Sequence, residues 1–195
     1  MASMRFDEAI ARFDAANAED PSTETVAGTA QPKQLLYARR MSACLARLAP
    51  QASDVVRLAV RAQHIRRWMI PRDRYPMDRR GYRKWRTELG AFHARTAGEI
   101  LQDVGYDDGT IARVQALLQK RRLKSDPDVQ LLEDVACLVF LEHHFAEFAR
   151  EHDEQKLIGI VRKTWYKMSP RGHEAALELQ LPPDLERLVA RAIGT

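Results

Sequence analysis

The sequence predicts an all-α protein, one helical domain over residues 1–195 built from eight or nine helices. Three observations carry that expectation. Apolar residues recur at three- and four-residue intervals along most of the chain. Asp, Ser and Pro stand where those runs begin. No segment alternates apolar and polar residues with the two-residue period of a strand.

Taken in order, residues 4–18 place Phe6, Ala9, Ile10, Phe13 and Ala16 on one helical face, and Pro21 ends the run. Residues 19–33 are rich in Ser, Thr, Ala, Gly and Glu, with Val26 as their only large apolar residue, and read as a mobile loop. A helix through Leu35, Leu36, Met41, Leu45 and Leu48 closes at Pro50. Ser53 is a good N-cap for the next, which carries Val56, Ala59, Val60 and His64 down one side. Pro71 and Pro76 interrupt helix between 69 and 77, because each lacks an amide donor and restricts its predecessor. Asp78 then caps a long helix through Tyr82, Trp85, Leu89, His93, Ile100 and Leu101, which Gly105 stops. Ile111, Val114, Leu117 and Leu118 mark a helix from about Asp108 to Arg122.

Asp126 followed by Pro127 opens a helix expected to run to about Arg150. Its core, LEDVACLVFLEHHFAEF, is apolar over more than half its circumference, which suits a central position. Asp153 caps a helix with Leu157, Ile160, Val161 and Trp165, Ser169 and Pro170 begin a shorter one, and Pro182 and Pro183 lead into a last helix ending near Gly194.

At 45% hydrophobic residues the chain can bury one substantial core. No apolar run approaches the roughly 20 residues that span a bilayer, so no membrane partner is expected. Asp7, Glu8 and Asp14 make the first 18 residues unlike a signal peptide. Cys44 and Cys137 each sit within an apolar helical pattern, which favours a reducing, cytoplasmic location over a disulfide framework. The chain has no C-x-x-C knuckle, no G-x-S-x-G elbow and no glycine-rich phosphate loop, and no cofactor is expected.

The charge is concentrated in one place. Between Arg66 and Arg86 nine basic side chains stand against Asp73 and Asp78, in a chain whose total is only +4. Arginine outnumbers lysine there eight to one, which favours forked recognition of phosphate or carboxylate. Trp68, Tyr75, Tyr82 and Trp85 alternate with the bases, and the two prolines stiffen the loop, choices that mere solubility does not require. Arg66, Arg67, Arg72, Arg79 and Arg86 are therefore candidate phosphate ligands, with Trp68, Tyr75, Tyr82 and Trp85 as walls or stacking surfaces.

Three polar residues fall on inward faces: His64 beside Val56 and Val60, His93 between Leu89 and Ala97, and Asp134 between Leu131 and Leu138. Buried polar groups need partners. They form either a structural network or a functional pocket, and as a pocket they are the candidate catalytic residues.

Taken together, AQHIRRW (62–68), IPRDRYPM (70–77), GYRKWR (81–86), LEDVACLVFLEHHFAEF (132–148) and RKTWYKMS (162–169) resemble a family of bacterial and fungal proteins classed as a domain of unknown function. Its members often carry the label glutamyl-tRNA synthetase. That chemistry requires parallel strands and an H-I-G-H-type motif, of which His64-Ile65-Arg66-Arg67 matches only the first two letters. Lys167-Met168-Ser169 resembles the start of a K-M-S-K-S loop, but Pro170 and Arg171 follow. The chain is not expected to be an aminoacyl-tRNA synthetase.

The order of polar residues also resembles the HD metallophosphohydrolases, all-helical enzymes with histidines and aspartates spread over several helices. The likeness implies an HD-like core in which His64 matches the histidine of the His-Asp pair, His93 a later histidine and Asp134 the late aspartate. Tyr37 replaces the first histidine, Ile65 the paired aspartate, and Lys120 and Arg121 stand where a further histidine often falls. Cations oppose a hard divalent ion, so no metal is expected and arginine takes over the neutralising of phosphate. The expected function is binding of a phosphate-bearing small molecule, a nucleotide first, with phosphoester hydrolysis as the implied reaction. The alternatives are RNA, tRNA included, bound by the 66–86 stretch, and an acidic protein partner. Nothing in the sequence sets the oligomeric state.

Overall fold

Helix caps written in the sequence organise most of the chain, and four stretches depart from expectation. The structure, a computed structural model, describes residues 2–194. Among the described residues it has ten α-helices and a single two-stranded sheet, and so is predominantly helical. The chain divides into two compact units, Met1–Arg122 and Leu123–Thr195.

The first unit begins with α1 (Ala2–Ala18), whose Ala9, Phe13 and Ala16 are buried. Residues 19–33, expected as a loop, hold a hairpin of β1 (Thr23–Val26) and β2 (Thr29–Pro32), with Thr23 opposite Pro32 and Val26 opposite Thr29. Ala27 and Gly28 form its two-residue turn, both at positive φ (49° and 79°), the backbone that matches strand twist. Buried Asp20 fastens the base. Its two carboxylate oxygens accept from the amides of Ser22 (2.9 Å) and Gln34 (3.0 Å), joining the end of α1 to the start of α2 (Lys33–Leu48).

Ser53 caps α3 (Asp54–Arg61), accepting from the Val56 amide. The helix was expected to continue through His64, but it ends at Arg61 and residues 62–66 turn back. Two short 3₁₀ turns, Arg67–Met69 and Arg72–Arg74, carry the chain past the prolines. Asp78 caps α4 (Arg79–Val104), accepting from the Gly81 amide at 2.6 Å. Glycine is required at position 81, since a Cβ there would overlap the Pro76 carbonyl oxygen. Gly105 closes α4 at φ 86°, with the Tyr106 amide donating back to the Leu101 carbonyl. The last helix of this unit, α5 (Asp108–Leu118), is capped by Asp107 and stops short of the expected Arg122. Phe13, Met41, Leu58, Ile65, Leu101 and Leu117 fill the core between these helices.

In the second unit Asp126 caps α6 (Pro127–Val139), accepting from the amides of Asp128 and Val129. The single helix expected over 126–150 is interrupted by a π turn, Phe140–His144, before α7 (Phe145–Arg150), which accounts for a tenth helix. α8 (Glu154–Lys167), α9 (Pro170–Leu177) and α10 (Pro183–Ile193) follow, the first two capped by Asp153 and Ser169 as expected. Arg162 Nε donates to the Ala192 carbonyl at 2.9 Å and ties α8 to the end of α10. Among the described residues no helix is long and apolar enough to cross a membrane.

Candidate functional site

The turn after α3 builds the site. Asn17 Oδ1 accepts from the Arg66 amide at 3.1 Å, and Arg66 itself takes a left-handed conformation at φ 49°. This reversal buries Ile65 and leaves its carbonyl to accept a hydrogen bond from His93 Nδ1 at 2.7 Å. A carbonyl can only accept, so Nδ1 carries the proton and His93 Nε2 bears a lone pair. The His64 ring stacks on Tyr37 (centroids 4.4 Å apart, 14° between planes) and lies 5.8 Å from the His93 ring. Arg67 Nη1 lies 3.3 Å from His64 Nε2, and since guanidinium only donates, that nitrogen accepts. The Arg67 guanidinium sits 4.8 Å above the buried Trp85 ring, whose Nε1 donates to the Ile70 carbonyl.

Arg86 and His93 come from the face of α4 that includes Leu89. Lys120 arrives from the turn that ends α5, where its φ of 52° breaks the helix. Together with Gln63, His64 and Arg67 they line a hollow of about 60 Å³. That is well below the roughly 300–1,000 Å³ of a site that encloses a whole small molecule, so the space suits a phosphoryl-sized group. No carboxylate lines it. Arg67 is drawn below its usual range by burial and by the neighbouring Arg86 guanidinium, a like-charge contact that nothing in the lining offsets.

Both histidines are held neutral. Burial is the main cause for each, and Arg67, Arg86 and Lys120 push the same way; His93 falls to about 3 and His64 well below its ordinary value. An unfolded histidine takes up a proton as pH drops through about 6.5 while these do not, so the unfolded state binds more protons in that window. Stability is therefore retained above pH 6.5 and lost as pH falls towards 3. Each histidine contributes up to about a tenfold loss in the folding constant per pH unit. Urea unfolding at pH 7 and pH 5 is expected to show this loss, and replacing His93 by Gln reduces the pH slope.

The remaining candidates are occupied differently. Arg66 pairs with Glu19 at 2.8 Å. Arg72 donates to the carbonyls of Tyr75, Pro76 and Asp78 and so clasps the loop before α4. The Tyr75 hydroxyl donates to Glu88 at 2.5 Å. Trp68 is half-buried in the first 3₁₀ turn, Arg79 is exposed at the start of α4, and Tyr82 is half-exposed with its ring 5.8 Å from Trp85. Asp134 is buried in the second unit. Its carboxylate accepts from the Ser169 amide (2.8 Å), the Ser169 hydroxyl (2.5 Å) and Gln130 Nε2 (3.0 Å). Tyr37, Gln63 and Lys120 were not among the predicted site residues. Tyr37 and Lys120 were marked only as departures from a histidine pattern, and Gln63 gave no signal beyond adjoining His64. Among the described residues no cluster of three or more His, Cys, Asp or Glu is placed to hold a metal ion.

Residues 7–189 match the model of one family, described as a domain of unknown function, DUF4202. No curated protein and no solved structure matches the chain.

Proposed function

We propose that this chain, which belongs to the DUF4202 family of domains of unknown function, binds a phosphate-bearing small molecule with its phosphoryl group in the hollow between α3, α4 and α5. One observation carries the proposal: two guanidiniums, an ammonium and two neutral histidines surround a space of about 60 Å³ that no carboxylate lines. Arginine forks are suited to phosphoryl oxygens, and burial strengthens such charge-assisted bonds. A nucleotide or sugar phosphate fits if only its phosphoryl end enters, with the rest of the ligand outside near the half-exposed Tyr82.

Part of the HD-like reading supports the same place. Tyr37, His64, His93 and Lys120, which stand for HD ligand positions or their replacements, meet around or beside the hollow. Asp134, the late aspartate of that likeness, is instead bound by Ser169 and Gln130 and does not line it. Phosphoester hydrolysis is the reaction that likeness implies. A histidine held near 3 is a poor match for a base working at neutral pH, so binding is placed ahead of catalysis.

A thermal-shift panel of orthophosphate, a sugar phosphate and nucleoside phosphates tests the proposal. Ligand at a hundred times its dissociation constant stabilises by about 2.7 kcal/mol, so a clear rise in melting temperature is expected with at least one of them. Failure of all of them rejects it. RNA binding is the second reading, favoured by the exposed Arg79, Arg80, Arg83 and Lys84 beside Met77 and Tyr82. It requires affinity that falls steeply with salt, and a flat response removes it.

A further inference from the structure

His93 lines the hollow and carries a buried acceptor that no protein group meets. The residue is 3% exposed and lines the cavity, and its Nε2 is buried with no hydrogen-bond partner. Turning the ring over to offer a hydrogen instead would break the 2.7 Å bond from Nδ1 to the Ile65 carbonyl. Gln63 Oε1 is buried without a partner in the same lining, but a carboxamide can rotate to present its NH₂ and so does not discriminate. The charged lining groups, Arg67, Arg86 and Lys120, can only donate. A ligand that donates to His93 Nε2 and accepts from the arginines is an anion that also has a hydrogen to give.

Within the phosphate-binding reading, on which this rests, we propose that the hollow selects hydrogen phosphate, its P–OH donating to His93 Nε2 while the guanidiniums and the ammonium hold its charged oxygens. Sulfate has the same size, shape and charge but carries no proton at neutral pH, so it would set a lone pair against a lone pair. A phosphate monoester loses its last proton near pH 6, by analogy with phosphorylated side chains. At pH 7.5 the phosphoryl end of a sugar phosphate or nucleotide therefore still meets the guanidiniums but binds more weakly than orthophosphate. Orthophosphate keeps a P–OH throughout the neutral range. Burial holds His93 neutral there, so its lone pair is available.

The test is calorimetric titration of the full chain at pH 7.5 and constant ionic strength with sodium phosphate, sodium sulfate and methyl phosphate. Orthophosphate is expected to bind at least about tenfold more tightly than either of the others, the loss that one mismatched buried hydrogen bond produces. In a long-range ¹H–¹⁵N spectrum the His93 Nε2 resonance is expected to move on adding phosphate and to stay put on adding sulfate. Equal affinity for phosphate and sulfate overturns the selectivity and leaves the anion site standing. No binding of any of the three overturns the phosphate-binding reading itself, and the selectivity with it.

Discussion

Replacing Arg86 by Glu is expected to abolish orthophosphate binding and leave the protein folded. No hydrogen bond or ion pair joins the Arg86 side chain to another described residue, so the substitution leaves no polar partner unmet. It also removes a like charge beside Arg67 and supplies a carboxylate where the hollow has none. The new carboxylate also gains a countercharge in Arg67, so folding is expected to be retained. For the ligand the effects have the opposite sign. A charge-assisted hydrogen bond is worth about 1.5–3 kcal/mol, and an anion must then also approach a carboxylate. A loss of at least about a hundredfold in affinity is expected, near 2.8 kcal/mol. Arg86→Ala falls between this variant and the wild type. Calorimetric titration measures the affinity and urea unfolding the stability. Wild-type affinity in Arg86→Glu would show that the anion, if one binds, sits elsewhere.

The parts legible in the sequence are those decided within a few residues. Ser53, Asp78, Asp126, Asp153 and Ser169 all accept the backbone amides that their positions promised, because a cap is a local bond. The hairpin was not legible. Its four-residue strands have no apolar alternation, and its base depends on Asp20 reaching an amide 14 residues away. Nothing in Ala62-Gln63-His64 forbids helix either; α3 ends where Asn17, far back in the chain, takes the Arg66 amide. The same limit applies to the arginines. Their clustering is visible as composition, but which ones face a ligand is settled by distant partners. Glu19 takes Arg66, the carbonyls of the proline loop take Arg72, and Trp85 supports Arg67 at the hollow. His93 was readable as an inward-facing polar residue, because helical spacing on α4 places it among apolar neighbours. By contrast, α3 ends before His64, which the following turn positions instead.

Asp134 has the same inward-facing signature as the histidines, and its replacement by Ala is expected to be chiefly a stability mutation. Both oxygens are engaged: Oδ1 by the Ser169 amide and Gln130 Nε2, Oδ2 by the Ser169 hydroxyl. Ser169 in turn caps α9 through the Gly172 amide at 3.1 Å, so the carboxylate anchors the start of that helix to α6. Gly172 lies so close that a Cβ there would fall 2.8 Å from Asp134 Oδ1. Removing the carboxylate leaves a buried amide and hydroxyl without their acceptor and opens a small void. Hydrogen bonds to charged groups are worth about 1.5–3 kcal/mol and unmet buried donors add to the loss, so about 3 kcal/mol is expected. For a chain of this size that lowers the melting temperature by about 6–12 °C. Asp134→Asn keeps the shape and one acceptor oxygen, and is expected to lose less. Orthophosphate affinity, measured well below the melting transition, is expected to be unchanged in both variants, since the hollow is lined only by residues between Gln63 and Lys120. The catalytic role that the HD likeness implies requires the reverse, near-normal stability with the ligand response lost. The pair of measurements therefore decides whether Asp134 belongs with the two histidines or with the scaffold of its own helices.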